Sequence, residues 1–118
     1  MRFLPDPKYN ELPCSYVGTG CAYEDYYGKQ FNVPMIENLK NGWSTLNNTD
    51  KYVRSLLPVT RKVYYKRDER FTLNDFLKSN DKKCLVCVYG HFIYVNKGDY
   101  WSFFPNENDK IVCIWYLK

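Results

Sequence analysis

A chain of 118 residues has room for one domain with one modest core. With 45% hydrophobic and 25% charged residues, the composition is that of a globular protein and argues against disorder. The net charge of +4 permits an acidic partner without demanding one, and no apolar run approaches the roughly 20 residues that cross a bilayer.

The opening, Met1-Arg-Phe-Leu-Pro-Asp-Pro7, lacks the long apolar core of a signal peptide, so the expected location is cytoplasmic. Five cysteines, an odd number, then read as reduced thiols. Aromatics make up 19% of the chain, which favours strands and half-wet surfaces.

In chain order, residues 1–13 carry Pro5, Pro7 and Pro13 without periodicity and read as an extended lead-in. Cys14, Val17, Gly18, Cys21, Ala22 and Asp25 then fall at helical spacing. Gly18 and Gly20 each cost such a helix about 1 kcal/mol relative to alanine, so close packing against a sheet is expected to offset them. Gly28 ends the helix. Val33 to Leu39 reads as a short helix closed by Asn41-Gly42. Asn47-Asn-Thr-Asp50 is a cap signal for another that runs through Leu57 and stops at Pro58.

Thr60 to Lys66 reads as an edge strand guarded by cations. Thr72-Leu-Asn-Asp75 resembles a capping box and opens a helix through Lys78. Cys84 to Tyr89 is apolar on both faces, as in a strand covered on both sides. After Gly90 and the only histidine, His91, a strand through Val95 meets the turn signal Asn96-Lys-Gly98. The return strand runs from Asp99 to Phe104, and Ile111 to Leu117 is the last. The order predicts an α+β domain spanning residues 1–118, its N-terminal helices packed on a C-terminal antiparallel sheet.

Cys84-Leu-Val-Cys87 has zinc-ligand spacing, and Cys14 and Cys21 would complete a set of four. Residues three apart on a strand point to opposite faces, so no metal site and no cofactor is expected. Cys14 is the leading nucleophile. It opens a helix, where half a positive charge and unsatisfied N–H groups favour a thiolate and an oxyanion. Cys21, Cys84, Cys87 and Cys113 read as packing. His91 is the candidate base or imidazolium partner. In a hairpin turning at Lys97-Gly98, Val95 faces Tyr100, Ile93 faces Ser102 and His91 lies near Phe104. Ser102 is then the nearest polar side chain to orient the imidazole, with Asn106 and Asn108 as alternatives.

A small-residue helix opening with cysteine, followed by Tyr27-Gly-Lys-Gln-Phe31, resembles the start of small papain-like cysteine peptidases of bacteria and phages. Gly90-His-Phe-Ile-Tyr-Val95 with Asn96-Lys-Gly98 is similar to that family's histidine strand and hairpin. The resemblance implies a papain-like fold, a Cys14–His91 pair acting on a peptide or isopeptide bond, and a protein or peptide substrate. Two departures stand out. Ser102 occupies the position where the family carries Asp or Asn, and Asn10 is the only candidate for its oxyanion glutamine. These leave open a catalytically silent phage accessory or virion protein that binds a protein partner, in the host cytoplasm or the virion. A third reading, nucleic-acid binding through Arg61-Lys-Val-Tyr-Tyr-Lys-Arg-Asp-Glu-Arg70, is disfavoured because Asp68 and Glu69 dilute the run.

Overall fold

The computed structural model describes residues 1–10, 12–31 and 46–118, so the helix expected over Val33 to Leu39 lies outside the described residues. In chain order the elements are β1 (Arg2–Phe3), α1 (Cys14–Tyr27), α2 (Leu46–Leu56), β2 (Val59–Val63), α3 (Leu73–Ser79), β3 (Lys83–Val88), β4 (His91–Asn96), β5 (Asp99–Trp101) and β6 (Ile111–Leu117). Short 3-10 turns occupy Pro7–Tyr9 and Arg67–Glu69. The strands form one sheet in the order β1-β5-β4-β3-β6-β2. The class is α+β.

β3 sits mid-sheet and is covered on both sides, as its apolar run predicts. Leu85 joins Tyr9, Tyr16, Val17, Phe92, Tyr94 and Trp115 under α1 and α2. Cys84, Val86 and Val88 face the other way, toward Leu73 and Phe76 of α3. Thr72 caps α3, its hydroxyl accepting the Asp75 N–H at 3.2 Å. β2 is an edge strand, as expected, although it covers Val59–Val63 rather than Thr60 to Lys66.

The lead-in corrects the sequence reading. Residues 2 and 3 are not a free extended arm but pair in parallel with β5, which makes the sheet mixed rather than wholly antiparallel. The outer edge of β5 would otherwise be unpaired. The Tyr100 N–H donates to the Met1 carbonyl at 3.0 Å and the Ser102 N–H to that of Phe3 at 3.1 Å. Pro5 and Pro7, which donate nothing to a ladder, lie just beyond this pairing.

The β4–β5 hairpin has the expected register, with Val95 opposite Tyr100 and Asn96 opposite Asp99. Lys97 takes the left-handed conformation the turn requires (φ 56°). The return strand is shorter than expected, ending at Trp101 instead of Phe104. There the Ser102 hydroxyl accepts the Phe104 N–H at 3.2 Å and curls the chain out of the ladder.

α1 runs from Cys14 to Gly28, which closes it at φ 66° and donates its N–H to the Glu24 carbonyl at 2.9 Å. Its two glycines are spent on close approach. A Cβ on Gly18 would lie 2.7 Å from Phe92 Cδ1 and 3.1 Å from the Phe92 carbonyl oxygen; one on Gly20 would strike the Tyr9 ring. The middle of the helix, Tyr16 to Gly20 with Ala22, is buried, and the acidic residues that follow carry structural bonds. The Tyr9 and Tyr94 hydroxyls donate to Glu24 and Asp25, respectively.

Candidate functional site

Two local breaks in the chain bring the chemistry-bearing residues together. Pro13 ends the lead-in, and its carbonyl accepts the N–H groups of Tyr16 (2.9 Å) and Val17 (3.2 Å), so α1 begins with Cys14 in its first turn. Among the described residues the N–H groups of Cys14 and Ser15 have no acceptor, as the geometry of a helix start dictates. Gly90, at φ 82°, turns the chain between β3 and β4, so His91 is the first residue of β4. Cys14 and Gly18 share one face of α1, four residues apart. Gly18 rests on Phe92, the residue after His91, and Cys14 therefore lies toward the start of β4.

The result is a cleft of about 270 Å³ with Cys14, His91 and Ser102 in its wall. The remainder is apolar: Leu12, Val17, Phe92, Trp101, Phe103 and Phe104, with Gly90 at the turn. Among the described residues no Asp, Glu, Lys or Arg lines it. A second, larger concavity of about 540 Å³ lies where β6 ends and β3 begins, lined by Tyr26, Thr60, Lys82, Lys83, Tyr116, Leu117 and Lys118. It contains neither cysteine nor histidine.

His91 is half-buried, its ring against Phe104 with centroids 5.5 Å apart and planes at 40°. Among the described residues no hydrogen bond reaches the imidazole. Ser102 is buried, and its hydroxyl proton goes to Asn106 Oδ1 at 2.8 Å while its oxygen accepts the Phe104 N–H. Asn106, also buried, donates from Nδ2 to Asp109 Oδ2 at 2.8 Å. The two asparagines considered as orienting groups, Asn106 and Asn108, both lie outside the cleft lining. So does Asn10. It is exposed, and its N–H closes the 3-10 turn on the Pro7 carbonyl at 3.0 Å. Of the predicted site residues, Cys14, His91 and Ser102 share one wall and Asn10 stands apart.

Phe104, Trp101 and Leu12 were not anticipated as wall residues. The signal was the aromatic run Tyr100 to Phe104, which reads as strand filler until the chain leaves the ladder at Ser102.

The other four thiols are held protonated. Burial pushes Cys21, Cys84 and Cys113 up to about 12 from an ordinary 9.0. Cys87 rises to about 11, mainly through burial, with a smaller push from the neighbouring Cys14. Cys84 and Cys87 lie in opposite cores, and among the described residues no group of three or more His, Cys, Asp or Glu is placed to hold a metal ion.

The basic stretch is partly consumed by structure. Arg61 Nε lies 3.6 Å from Asp50, and Arg70 Nε donates to the Tyr64 carbonyl at 3.0 Å. Lys62 sits over the Tyr64 ring at 5.8 Å. Lys66 and Arg67 are left beside Asp68 and Glu69, a weak footprint for a phosphate backbone. Among the described residues no helix is long and apolar enough to cross a membrane. No family model, curated protein or solved structure matches this chain.

Proposed function

We propose that the chain is a thiol-dependent acyl-transfer protein of papain-like type, acting on a peptide or isopeptide bond. The observation that carries this reading is the shared cleft: the cysteine that opens α1 and the only histidine line one small apolar hollow. The motifs around Cys14 and Gly90-His91 support it independently. In the proposed step, Cys14 Sγ attacks the carbonyl carbon and the new oxyanion is met by the unpaired N–H groups at the start of α1. His91 takes up the thiol proton and gives it to the departing amine. Water then hydrolyses the thioester and restores the thiol. The apolar walls exclude water from the pair and strengthen the charges formed there.

The test is covalent labelling with an acyl-based, thiol-directed probe. Wild type should be labelled once per chain. Cys14→Ala should abolish the label and His91→Ala should nearly do so. Equal labelling of all three would remove the enzymatic reading.

A second reading, a catalytically silent binding protein, has one observation in its favour. Among the described residues no carboxylate or amide is hydrogen-bonded to His91, and the Ser102 proton is committed to Asn106. On that reading Cys14 alkylates no faster than an ordinary exposed thiol.

A further inference from the structure

We propose that Phe104 is the positioning residue for His91, and that Ser102 and Asn106 act on the imidazole only through it. The inference rests on the reading of Cys14 and His91 as a reacting pair. An imidazole base needs a fixed ring orientation, usually supplied by a hydrogen bond from its far nitrogen to a carboxylate or amide. Among the described residues no such bond is made, and the ring's neighbour is Phe104, at 5.5 Å and 40°, within the range of favourable aromatic pairs. A tilted aromatic neighbour limits how the ring can turn and leaves both nitrogens available, one for the thiol and one for solvent.

Phe104 is itself 58% exposed, so the core does not hold it. Its backbone does. The Phe104 N–H donates to Ser102 Oγ at 3.2 Å, and Ser102 Oγ donates to Asn106 Oδ1 at 2.8 Å. Asn106 is fixed in turn by Asp109 Oδ2 at 2.8 Å and by its own N–H on the Tyr100 hydroxyl at 3.4 Å. From the other side Arg2 Nη1 donates to the carbonyls of Ser102 (3.4 Å) and Phe103 (3.2 Å). Ser102 and Asn106 are 8% and 3% exposed, so water does not readily replace these bonds when one partner is removed. The polar network therefore stands one residue away from where an orienting amide would act, and an aromatic ring transmits it.

The single histidine gives one imidazole signal by NMR, which reads ring orientation whether or not the protein turns over a substrate. The variants are Phe104→Ala, Phe104→Tyr, Ser102→Ala and Asn106→Ala. Phe104→Ala removes an exposed ring and leaves the core intact. It should move the His91 signal toward that of a free imidazole and slow labelling of Cys14 by about tenfold or more. Phe104→Tyr should restore both. Ser102→Ala and Asn106→Ala should move the His91 signal in the same direction as Phe104→Ala. Labelling of Phe104→Ala within twofold of wild type, or an unmoved His91 signal, overturns the proposal. So does a Ser102→Ala variant that folds, keeps the wild-type His91 signal and labels more slowly, because Ser102 would then act without Phe104. A wild type that takes no label ends the reacting-pair reading, and the NMR series still decides what holds the ring.

Discussion

Asp50 and His91 are two partly buried titratable side chains, and their surroundings could hardly differ more. Asp50 lies in the first half of α2, and its Oδ1 accepts from Trp115 Nε1 at 3.0 Å and from Arg54 Nε at 2.9 Å, with Arg61 Nε at 3.6 Å. Burial would lift its carboxyl, but the Trp115 bond and the two guanidiniums outweigh that and hold it below the ordinary value. One carboxylate thereby ties α2 to β2 and β6. His91 has an aromatic ring against it and, among the described residues, no polar partner. A charged group that serves architecture is saturated with donors, because a partly satisfied one is costly to bury. On the proposed reading, spare hydrogen-bonding capacity in an imidazole that shares a cleft with a thiol is what a reacting group needs.

The strongest way to break this contrast is at the cleft. Cys14→Ala should eliminate acyl-probe labelling. His91→Ala should slow it by about 10²–10⁴-fold, the usual worth of a general acid–base, with the unfolding midpoint little changed. A large loss of stability in His91→Ala would place His91 with Asp50 as a structural group. Asp50→Ala is the converse. It strands the Trp115 N–H and the two guanidiniums, and should cost about 1.5–3 kcal/mol in denaturant titration while labelling of the folded protein stays at the wild-type rate.

Gly18→Ala tests whether α1 must sit hard on Phe92 to deliver Cys14. Helix propensity alone predicts a gain of about 1 kcal/mol. The contact with Phe92 predicts instead a net loss of about 1 kcal/mol and slower labelling. The smallest effect is on pH. Cys21, Cys84 and Cys113 hold their protons to about 12 when folded, and burial also raises Tyr9 and Tyr94. The unfolded chain loses thiol protons near 9.0 and phenol protons near 10.0, so above those values it binds fewer protons than the folded protein. Stability should be flat from about pH 7 to 8.5 and decline beyond, as equilibrium unfolding at stepped pH would read.

Much of the frame was legible because it rests on local rules. Strand periodicity separated Cys84 from Cys87, the turn signal Asn96-Lys-Gly98 fixed Val95 opposite Tyr100, and Thr72 announced α3. The glycines of α1 announced close packing, although not that Phe92 and Tyr9 would be the surfaces met. What escaped depends on long-range pairing or on a single side chain. A two-residue strand such as Arg2–Phe3 has no alternation to read, and its partner lies almost a hundred residues away. The break at Ser102 turns on one hydroxyl capping one N–H, which period-two patterning cannot register. The hairpin register already placed Phe104 near His91; what it did not show is that the ladder stops at Trp101 and that Ser102 turns to Asn106. Cys14 and His91 were marked by residue type and position, whereas the groups around them were decided by where the chain leaves the sheet.

Trp115 is fully buried, against Phe92 and bonded to Asp50, whereas half-buried Trp101 stacks on Phe3 at 5.3 Å and forms part of the cleft wall. Trp101 and Trp115, two of the chain's three tryptophans, thus sit in unlike settings, while Trp43 lies outside the described residues. Emission from the shielded indole follows global unfolding, and emission from the other follows whatever occupies the hollow. The difference between the emission of the wild type and that of Trp101→Phe would isolate the Trp101 signal from those of Trp43 and Trp115 and give an optical readout of occupancy without an added dye.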